Sequence, residues 1–339
     1  MSEEQELLQS LTGLRDQILD QLRDYWMLSV PYSLGEVAIV AAFAKAFKQQ
    51  HGGALILLVD PAKFGVVKLF SDDTDGALQI PMGVLRGLRT RGLIGPEVFR
   101  PGTIHDVYHL NDAKLNLISL IDLRNQKPDR GLSNLDALRF SMRLPWEAKL
   151  SRGRPGPEAI QAAQEIAARV GMEPGNSVIL FPGNNTNQPA PSEFWKQVAT
   201  KARESGRKVF VNISGAAFLP PDLDIPGAAI ELDDIPSAIA TCAIAGRIVS
   251  GANGFVMTSL LTETDFGLDV ILTDAYDPVG TGVFQSLPIH SGSLRINAPD
   301  LLEDLTRPYR EWAITSATDL EDTAVQMTSA WAQDRVAER

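Results

Sequence analysis

Phe181-Pro182-Gly183-Asn184-Asn185-Thr186 follows the apolar run Ser177-Val178-Ile179-Leu180 and precedes a helix beginning near Ser192. A strand that ends in Pro-Gly and then in small polar residues turns backbone N–H groups, hydroxyls and amides toward whatever sits above the carboxyl end of a parallel sheet. That is the chemistry of a phosphate cradle. A tight strand-to-helix turn also needs Gly for steric reasons alone, so the loop has a structural reading of equal weight. A partner turn, Val30-Pro31-Tyr32-Ser33-Leu34-Gly35-Glu36, follows Trp26-Met27-Leu28-Ser29 and opens the helical run from Val37 to Phe47. It places the Glu36 carboxylate in the first turn of a helix, where the dipole holds it ionised. There it complements the helix dipole, a structural role worth a few tenths of a kcal/mol.

Three loops of the C-terminal half converge because each follows a strand of one parallel sheet: Gly183 to Gln188, Asn212 to Ala216 with Ser214, and Ser250-Gly251-Ala252-Asn253-Gly254. The last is a Gly-rich turn at a helix N-terminus, which favours an anion. Asp234, in a fourth loop, would cap the next helix, with Pro236 in its first turn; capping alone is a sufficient explanation of that residue. Together Gly183, Asn184, Asn185, Thr186, Gln188, Ser214, Asp234, Asn253 and Gly254 outline a pocket for a nucleotide diphosphate, and Ser33, Gly35 and Glu36 line the matching opening of the other half.

Both halves alternate apolar strands with amphipathic stretches, the pattern of open parallel α/β sheets. Strands are expected at 54–59, 77–80, 177–182, 208–213, 228–232, 246–250 and 269–273, and helices at 62–70, 82–91, 114–123, 134–144, 158–170, 193–205, 235–244, 254–264, 300–312 and 318–337. Residues 3–25 read as an amphipathic helix that packs on its own domain or forms a dimer contact. The stretch 149–157 concentrates Gly, Pro and Arg as a linker would. His105 and His109 stand four apart, as two metal ligands on one helix face would, but Pro101-Gly102 and β-branched neighbours favour strand or loop there.

A chain of 339 residues is long for a single core, so two domains are expected. Its net charge of −11, from 42 acidic against 31 basic residues, argues against nucleic acid as the main partner. The chain also offers no broad basic face for anionic lipid; Arg86, Arg89, Arg91 and Arg100 form the one local basic cluster in the N-terminal half that could meet it, and a solvated helix face is the favoured explanation of that cluster. The single cysteine, Cys242, excludes an internal disulfide and a thiolate metal cluster. An acidic N-terminus and the lack of a long apolar run lead us to expect a soluble cytoplasmic protein.

Leu34-Gly35-Glu36 before an Ala-rich helix, Leu180-Phe-Pro-Gly183 with Phe194-Trp195 on the following helix, Asp234-Ile-Pro236 and Gly251-Ala-Asn-Gly254 together resemble glycosyltransferase family nine, the heptosyltransferase-like enzymes. The resemblance spans most of residues 27–275. It implies the GT-B architecture: two Rossmann-like parallel-sheet domains facing across a cleft, an acceptor-side domain over 1–150, a nucleotide-sugar domain over 151–310, and a segment 311–339 that returns to the first. It also implies a metal-independent, inverting transfer with no cofactor, from a nucleotide-diphosphate sugar to a hydroxyl of a saccharide, lipid-linked or protein acceptor. Glu36 stands where the family carries its Asp base. The chain departs from the family at the last nucleotide loop, where Met257 replaces a His, and after the cradle, where Asn187-Gln188-Pro189 lacks a Lys. Those losses leave a non-catalytic sugar-nucleotide-binding or scaffold protein as the alternative. A sugar-nucleotide epimerase is disfavoured by four scattered His, and a periplasmic sugar-binding protein by the absence of a signal peptide.

Overall fold

The computed structural model describes residues 25–30, 33–90, 99–107, 111–112, 115–116, 131–183, 189–214, 219, 225–273, 293–303, 305–314 and 318–337. The expected N-terminal helix, and Asn184, Asn185, Thr186 and Gln188 of the cradle, lie outside them. Two compact units divide at Gly153 and Arg154.

In the first unit β1 (Tyr25–Val30), β2 (Ala54–Val59), β3 (Gly76–Gln79) and β4 (Ile104–Asp106) form one parallel sheet in the order β3-β2-β1-β4. β1 is buried along its whole length, and β2 almost so, which is why both read as continuous apolar runs instead of alternating ones. Helices α1 (Leu34–Ala42), α2 (Ala44–His51), α3 (Phe64–Leu69), α4 (Met82–Thr90) and α5 (Asn134–Ser141) connect and cover the strands. A helix expected from residue 114 is replaced at its start by a short antiparallel pair, β5 (Asn111–Asp112) with β6 (Leu115–Asn116). Asn111, Asp112 and Asn116 are turn formers that compete with helix through their own side chains.

In the second unit β7 (Ser177–Phe181), β8 (Lys208–Asn212), β9 (Ala228–Ile230), β10 (Arg247–Gly251), β11 (Gly267–Leu272) and β12 (Tyr309–Ala313) form an all-parallel sheet in the order β12-β11-β10-β7-β8-β9. Counted within the unit this is the 3-2-1-4-5-6 order of a Rossmann sheet, and the first unit repeats its 3-2-1-4 portion. Local chemistry sets the helix limits. Pro157 opens α6 (Pro157–Val170) and Gly171 closes it at φ 66°; α7 (Ser192–Glu204) follows β7. Asp234 caps α8 (Ile235–Ala245), and Asn253 caps α9 (Gly254–Leu260). Cys242 on α8 is fully buried, and burial pushes its thiol well above the usual range.

The end of the chain differs from expectation. In place of a helix over 300–312, two short helices, α10 (Leu294–Asn297) and α11 (Asp300–Glu303), precede strand β12. Its alternation explains the strand: Tyr309 and Glu311 face one side, where Glu311 accepts from Ser293 Oγ and the N–H of Leu294, while Arg310 and Trp312 face the other. The segment 311–339, expected to return to the first domain, completes β12 and forms α12 (Leu320–Ala337), whose Ala324, Met327 and Trp331 are buried in the second unit's core beside Trp195 and Val198 of α7.

A buried charge network fastens α12 to the N-terminal ends of the strands. Asp269 on β11, 0% exposed, accepts from Arg247 Nη1 at 2.7 Å and from the indoles of Trp312 and Trp331, each at 2.8 Å. Arg247 and Arg310 both donate to Asp334 of α12. Burial alone would raise the Asp334 carboxyl, but the two guanidinium groups outweigh it and hold it below the usual range. Gly267 leaves the space that Arg247 needs, since a Cβ there would sit 2.5 Å from the guanidinium carbon.

Candidate functional site

In an open α/β sheet a ligand binds beyond the carboxyl ends of the strands, where the strand order reverses. In the second unit that point lies between β7 and β10, which pair with Phe181 opposite Ser250. The loops there are the two Gly-bearing turns singled out in the sequence, Pro182-Gly183 and Ala252-Asn253-Gly254. In the first unit the reversal lies between β1 and β4, with Ser29 opposite Asp106, and the residues just beyond β1 are Ser33, Gly35 and Glu36.

Glu36 occupies the first turn of α1, half-buried, with its Oε2 atom shielded from solvent. Gly35 beside it is buried and Ser33 is exposed. Ser33 stands at the N-cap position in extended backbone, yet its hydroxyl makes no capping hydrogen bond. The first N–H groups of α1 thus lack the side-chain cap that usually satisfies them. Asp60, at the end of β2, ties the neighbouring loops, accepting from Ala62 N at 3.0 Å and Met82 N at 2.9 Å.

Two helix starts of the second unit, those of α8 and α9, are capped by their own side chains. The Asn253 Oδ1 accepts from the N–H groups of Phe255 and Val256 at 3.0 and 3.1 Å, which fixes the amide so that Nδ2 reaches Ser250 Oγ at 3.3 Å. Asp234 accepts from Ser237 N at 3.1 Å and from its hydroxyl at 2.5 Å. Ser214 Oγ accepts from Leu232 N at 2.6 Å, so this residue joins the loops after β8 and β9. Asn212, which sequence reasoning placed in the loop without singling it out, is the hub: its Oδ1 accepts from both Ser214 N and Leu232 N at 3.2 Å. An Asn ending an apolar strand was the available signal. A second feature had no local signal, because its partners are 74 positions apart: Phe181 and Phe255 stack at 4.7 Å between centroids, inclined by 23°.

Gly183, Asn253 and Gly254 are therefore brought to one strand-order reversal, with Ser214 and Asp234 on the adjoining loops of the same edge. Met257 is buried in α9. His105 lies in β4 with Nε2 on the Ser141 carbonyl at 3.1 Å, and His109 lies outside the described residues. Among the described residues no group of three His, Cys, Asp or Glu side chains could hold a metal ion.

The electrostatics of this edge are one-sided. The connections after β7 to β11, residues 182–191, 213–227, 231–234, 252–253 and 273–293, contain no Lys or Arg. They do carry Asp222, Asp224, Glu231, Asp233, Asp234, Asp274 and Asp277.

No sequence-family model matches the chain, and no curated protein matches it. Solved structures do share its fold. A glycosyl transferase family 9 structure from Veillonella parvula is similar with a TM-score of 0.55 at 9% identity, covering 93% of this chain and 97% of that one. The E. coli ADP-heptose LPS heptosyltransferase II gives 0.56 at 10% identity, covering 91% and 99%. The E. coli heptosyltransferase WaaC, solved with ADP, gives 0.50 at 10% identity, covering 91% and 98%. The expected fold class, α/β with two Rossmann-like parallel sheets, is the fold of these glycosyltransferases. Among the described residues no helix is long and apolar enough to cross a membrane.

Proposed function

We propose that this chain is a glycosyltransferase that moves a sugar from a nucleotide-diphosphate donor, held by the second unit, to a hydroxyl of an acceptor held by the first. The observation that supports the reading best is a coincidence of position. The loops whose chemistry suggested a phosphate site and a base stand at the strand-order reversals of two Rossmann-like sheets, in a fold shared with heptosyltransferases.

In this reading the acceptor oxygen attacks the anomeric carbon while the bond to the diphosphate breaks, and the leaving group departs with the bonding electrons. Glu36 takes the acceptor proton. A single displacement inverts the anomeric configuration. Gly183, Asn184, Asn185, Thr186, Gln188, Asn253 and Gly254 contact the donor's phosphates and sugar through backbone N–H groups and neutral side chains, without a metal. Ser214 and Asp234 shape the wall of the same pocket. The acceptor is a saccharide, free, lipid-linked or on protein, and the reaction runs in the cytoplasm.

The first test is thermal unfolding of the whole protein against UDP-, GDP-, ADP-, CMP- and dTDP-linked sugars, since a ligand that binds only the folded state raises its stability. The donor so identified is then followed to free diphosphate. Glu36→Gln is expected to abolish turnover and keep the donor-induced shift; turnover within about threefold of the parent removes Glu36 as the base. Addition of a chelator is expected to leave the rate unchanged. The absence of Lys and Arg from the stretches directly after β7 to β11 favours one second reading, a sugar-nucleotide-binding or scaffold protein without activity. A donor that shifts unfolding but is never turned over selects it.

A further inference from the structure

The two most exposed large apolar side chains among the described residues are Trp146, at 57%, and Phe140, at 47%. They stand six positions apart, on the last turn of α5 and in the turn that follows it. Arg143, between them in the chain, and Lys149, three positions beyond Trp146, are also exposed, and exposed Arg100 neighbours Phe99, over whose ring the Arg143 guanidinium sits at 4.5 Å. Glu147 is the one exposed acid between positions 140 and 149. In a chain of net charge −11 this is a local reversal of sign.

The backbone at Arg143 has an unusual form. Helix α5 ends in a Schellman turn, with Arg143 N on Phe140 O at 2.9 Å and Leu144 N on Arg139 O at 3.0 Å. The turn needs left-handed backbone at the residue just past the helix, where Gly is the usual occupant because it has no Cβ to strain. Here the residue is Arg143 at φ 52°, the only non-glycine with positive φ among the described residues. His51 Nε2 on the Met142 carbonyl at 3.1 Å and His105 Nε2 on the Ser141 carbonyl hold the same turn. Met142 and Leu144 are buried on either side, and Arg143 projects between them. A strained residue kept where Gly would relieve the strain points to a use for its side chain.

We infer that the turn after α5, with Phe140 and Trp146 flanked by Arg143, Lys149 and Arg100, is a docking surface for an anionic lipid bilayer. Exposed aromatic rings settle at headgroup level, and cations beside them are drawn to the negative surface. This is independent of the glycosyl-transfer reading and would hold for a protein without that activity.

The test is co-sedimentation of the full-length protein with phosphatidylcholine vesicles, with and without phosphatidylglycerol. Binding is expected to the anionic vesicles alone and to fall as salt is added. Each cation near such a surface contributes about fivefold in partitioning, so Arg143→Gly should weaken binding by about that factor and Arg143→Gly with Lys149→Ser by about twentyfold to thirtyfold. Arg143→Gly separates the docking role from a structural one, because relief of the left-handed strain should keep or raise the unfolding temperature while binding falls. Trp146→Ser, at an exposed site, should also weaken binding with the fold intact. The inference is overturned by no binding to anionic vesicles, by equal binding to both lipids, or by undiminished binding of these variants. Self-association that depends on Trp146 in a protein that ignores vesicles also overturns it, and assigns the surface to a second copy.

Discussion

Replacing Asp269 by Asn tests whether the buried clamp under the second sheet holds α12 in place. The substitution keeps the volume, so no cavity term enters, and Asp269 is 0% exposed, so solvent screens none of the loss. Three donors converge on the carboxylate: Arg247 at 2.7 Å and the indoles of Trp312 and Trp331 at 2.8 Å. An amide offers one acceptor oxygen and turns an NH2 toward a donor, which leaves at least one buried donor unsatisfied at about 1–3 kcal/mol. The Arg247 charge also loses one of its two carboxylate partners, and breaking a buried pair costs about 3–5 kcal/mol in all. Asp334 still faces Arg247, which puts the expected loss near 3 kcal/mol, or about 10 °C in a unit of this size. Urea unfolding of the full chain followed by circular dichroism, with calorimetry beside it, reads the change. Gly267→Ala attacks the same clamp from the other side by crowding the guanidinium, so its effect and that of Asp269→Asn should sum to less than additive. A loss below about 1 kcal/mol for Asp269→Asn, the range of an ordinary surface change, or strict additivity of the pair, refutes the reasoning.

Three further outcomes follow from the geometry. Because the stretches directly after β7 to β11 carry acids and no Lys or Arg, binding of a nucleoside diphosphate by the second unit should tighten, or hold steady, as salt rises from about 0.05 to 0.5 M; a steep weakening in titration calorimetry would reveal a cation supplied from elsewhere. Burial, reinforced by the charge of Arg143 and opposed by the hydrogen bond to Met142, depresses the His51 imidazole below its ordinary 6.5. The folded state therefore prefers it neutral, so its contribution is complete above pH 6.5 and is lost as pH falls through the lowered value; His51→Gln should flatten the slope of stability against pH in that window, measured by urea unfolding. Gly246 closes α8 at φ 88°, and a Cβ there would stand 2.8 Å from the Gly175 Cα, a backbone atom that cannot turn aside. Gly246→Ala should destabilise by about 2 kcal/mol or more in the same unfolding assay, since it combines left-handed strain with a clash.

The strands beside the site were legible because they are buried on both faces. Trp26-Met27-Leu28, Ala54 to Val59, Val178-Ile179-Leu180 and Ile248-Val249 read as unbroken apolar runs, and Gly-bearing turns follow β1, β7 and β10. β12 was not legible. Tyr309-Arg-Glu-Trp-Ala313 places two charged residues side by side between two aromatics, and those charges are satisfied largely by residues brought in from elsewhere, Asp334, Ser293 and the N–H of Leu294. The path of α12 was hidden for the same reason: Trp331 donates to Asp269 across 62 positions, a contact that no local pattern announces. Arg143 was missed because left-handed backbone is expected at Gly, and the Arg in its place gives no sequence mark of the turn.

Charge in the second unit is sorted along the strand direction, and this sorting bears on what the unit can recognise. Arg207, Arg247 and Arg310 cluster at the amino ends of the strands, Arg247 and Arg310 on Asp269 and Asp334 and Arg207 over the Trp331 ring, where they fix the sheet to α12. The carboxyl ends carry Asn212, Ser214, Asn253 and acids. The stretches that directly follow these strands hold no Lys or Arg, so under the proposed reading a diphosphate there would depend on hydrogen bonds more than on charge. Discrimination then rests on hydrogen bonds from fixed neutral donors. Such donors penalise a ligand that leaves them unpaired much more than they reward an extra negative charge. Asn212 and Asn253 are each held by two backbone N–H groups, and that rigidity keeps the donors aimed before a ligand arrives. Asn253→Ala should therefore do two things at once: lose the cap of α9, at about 1 kcal/mol, and blur selection among nucleotide sugars. Asn253→Asp restores the cap and adds a negative charge, so it should recover stability but not donor binding. Recovery of both by Asp would show that Asn253 acts only as a cap.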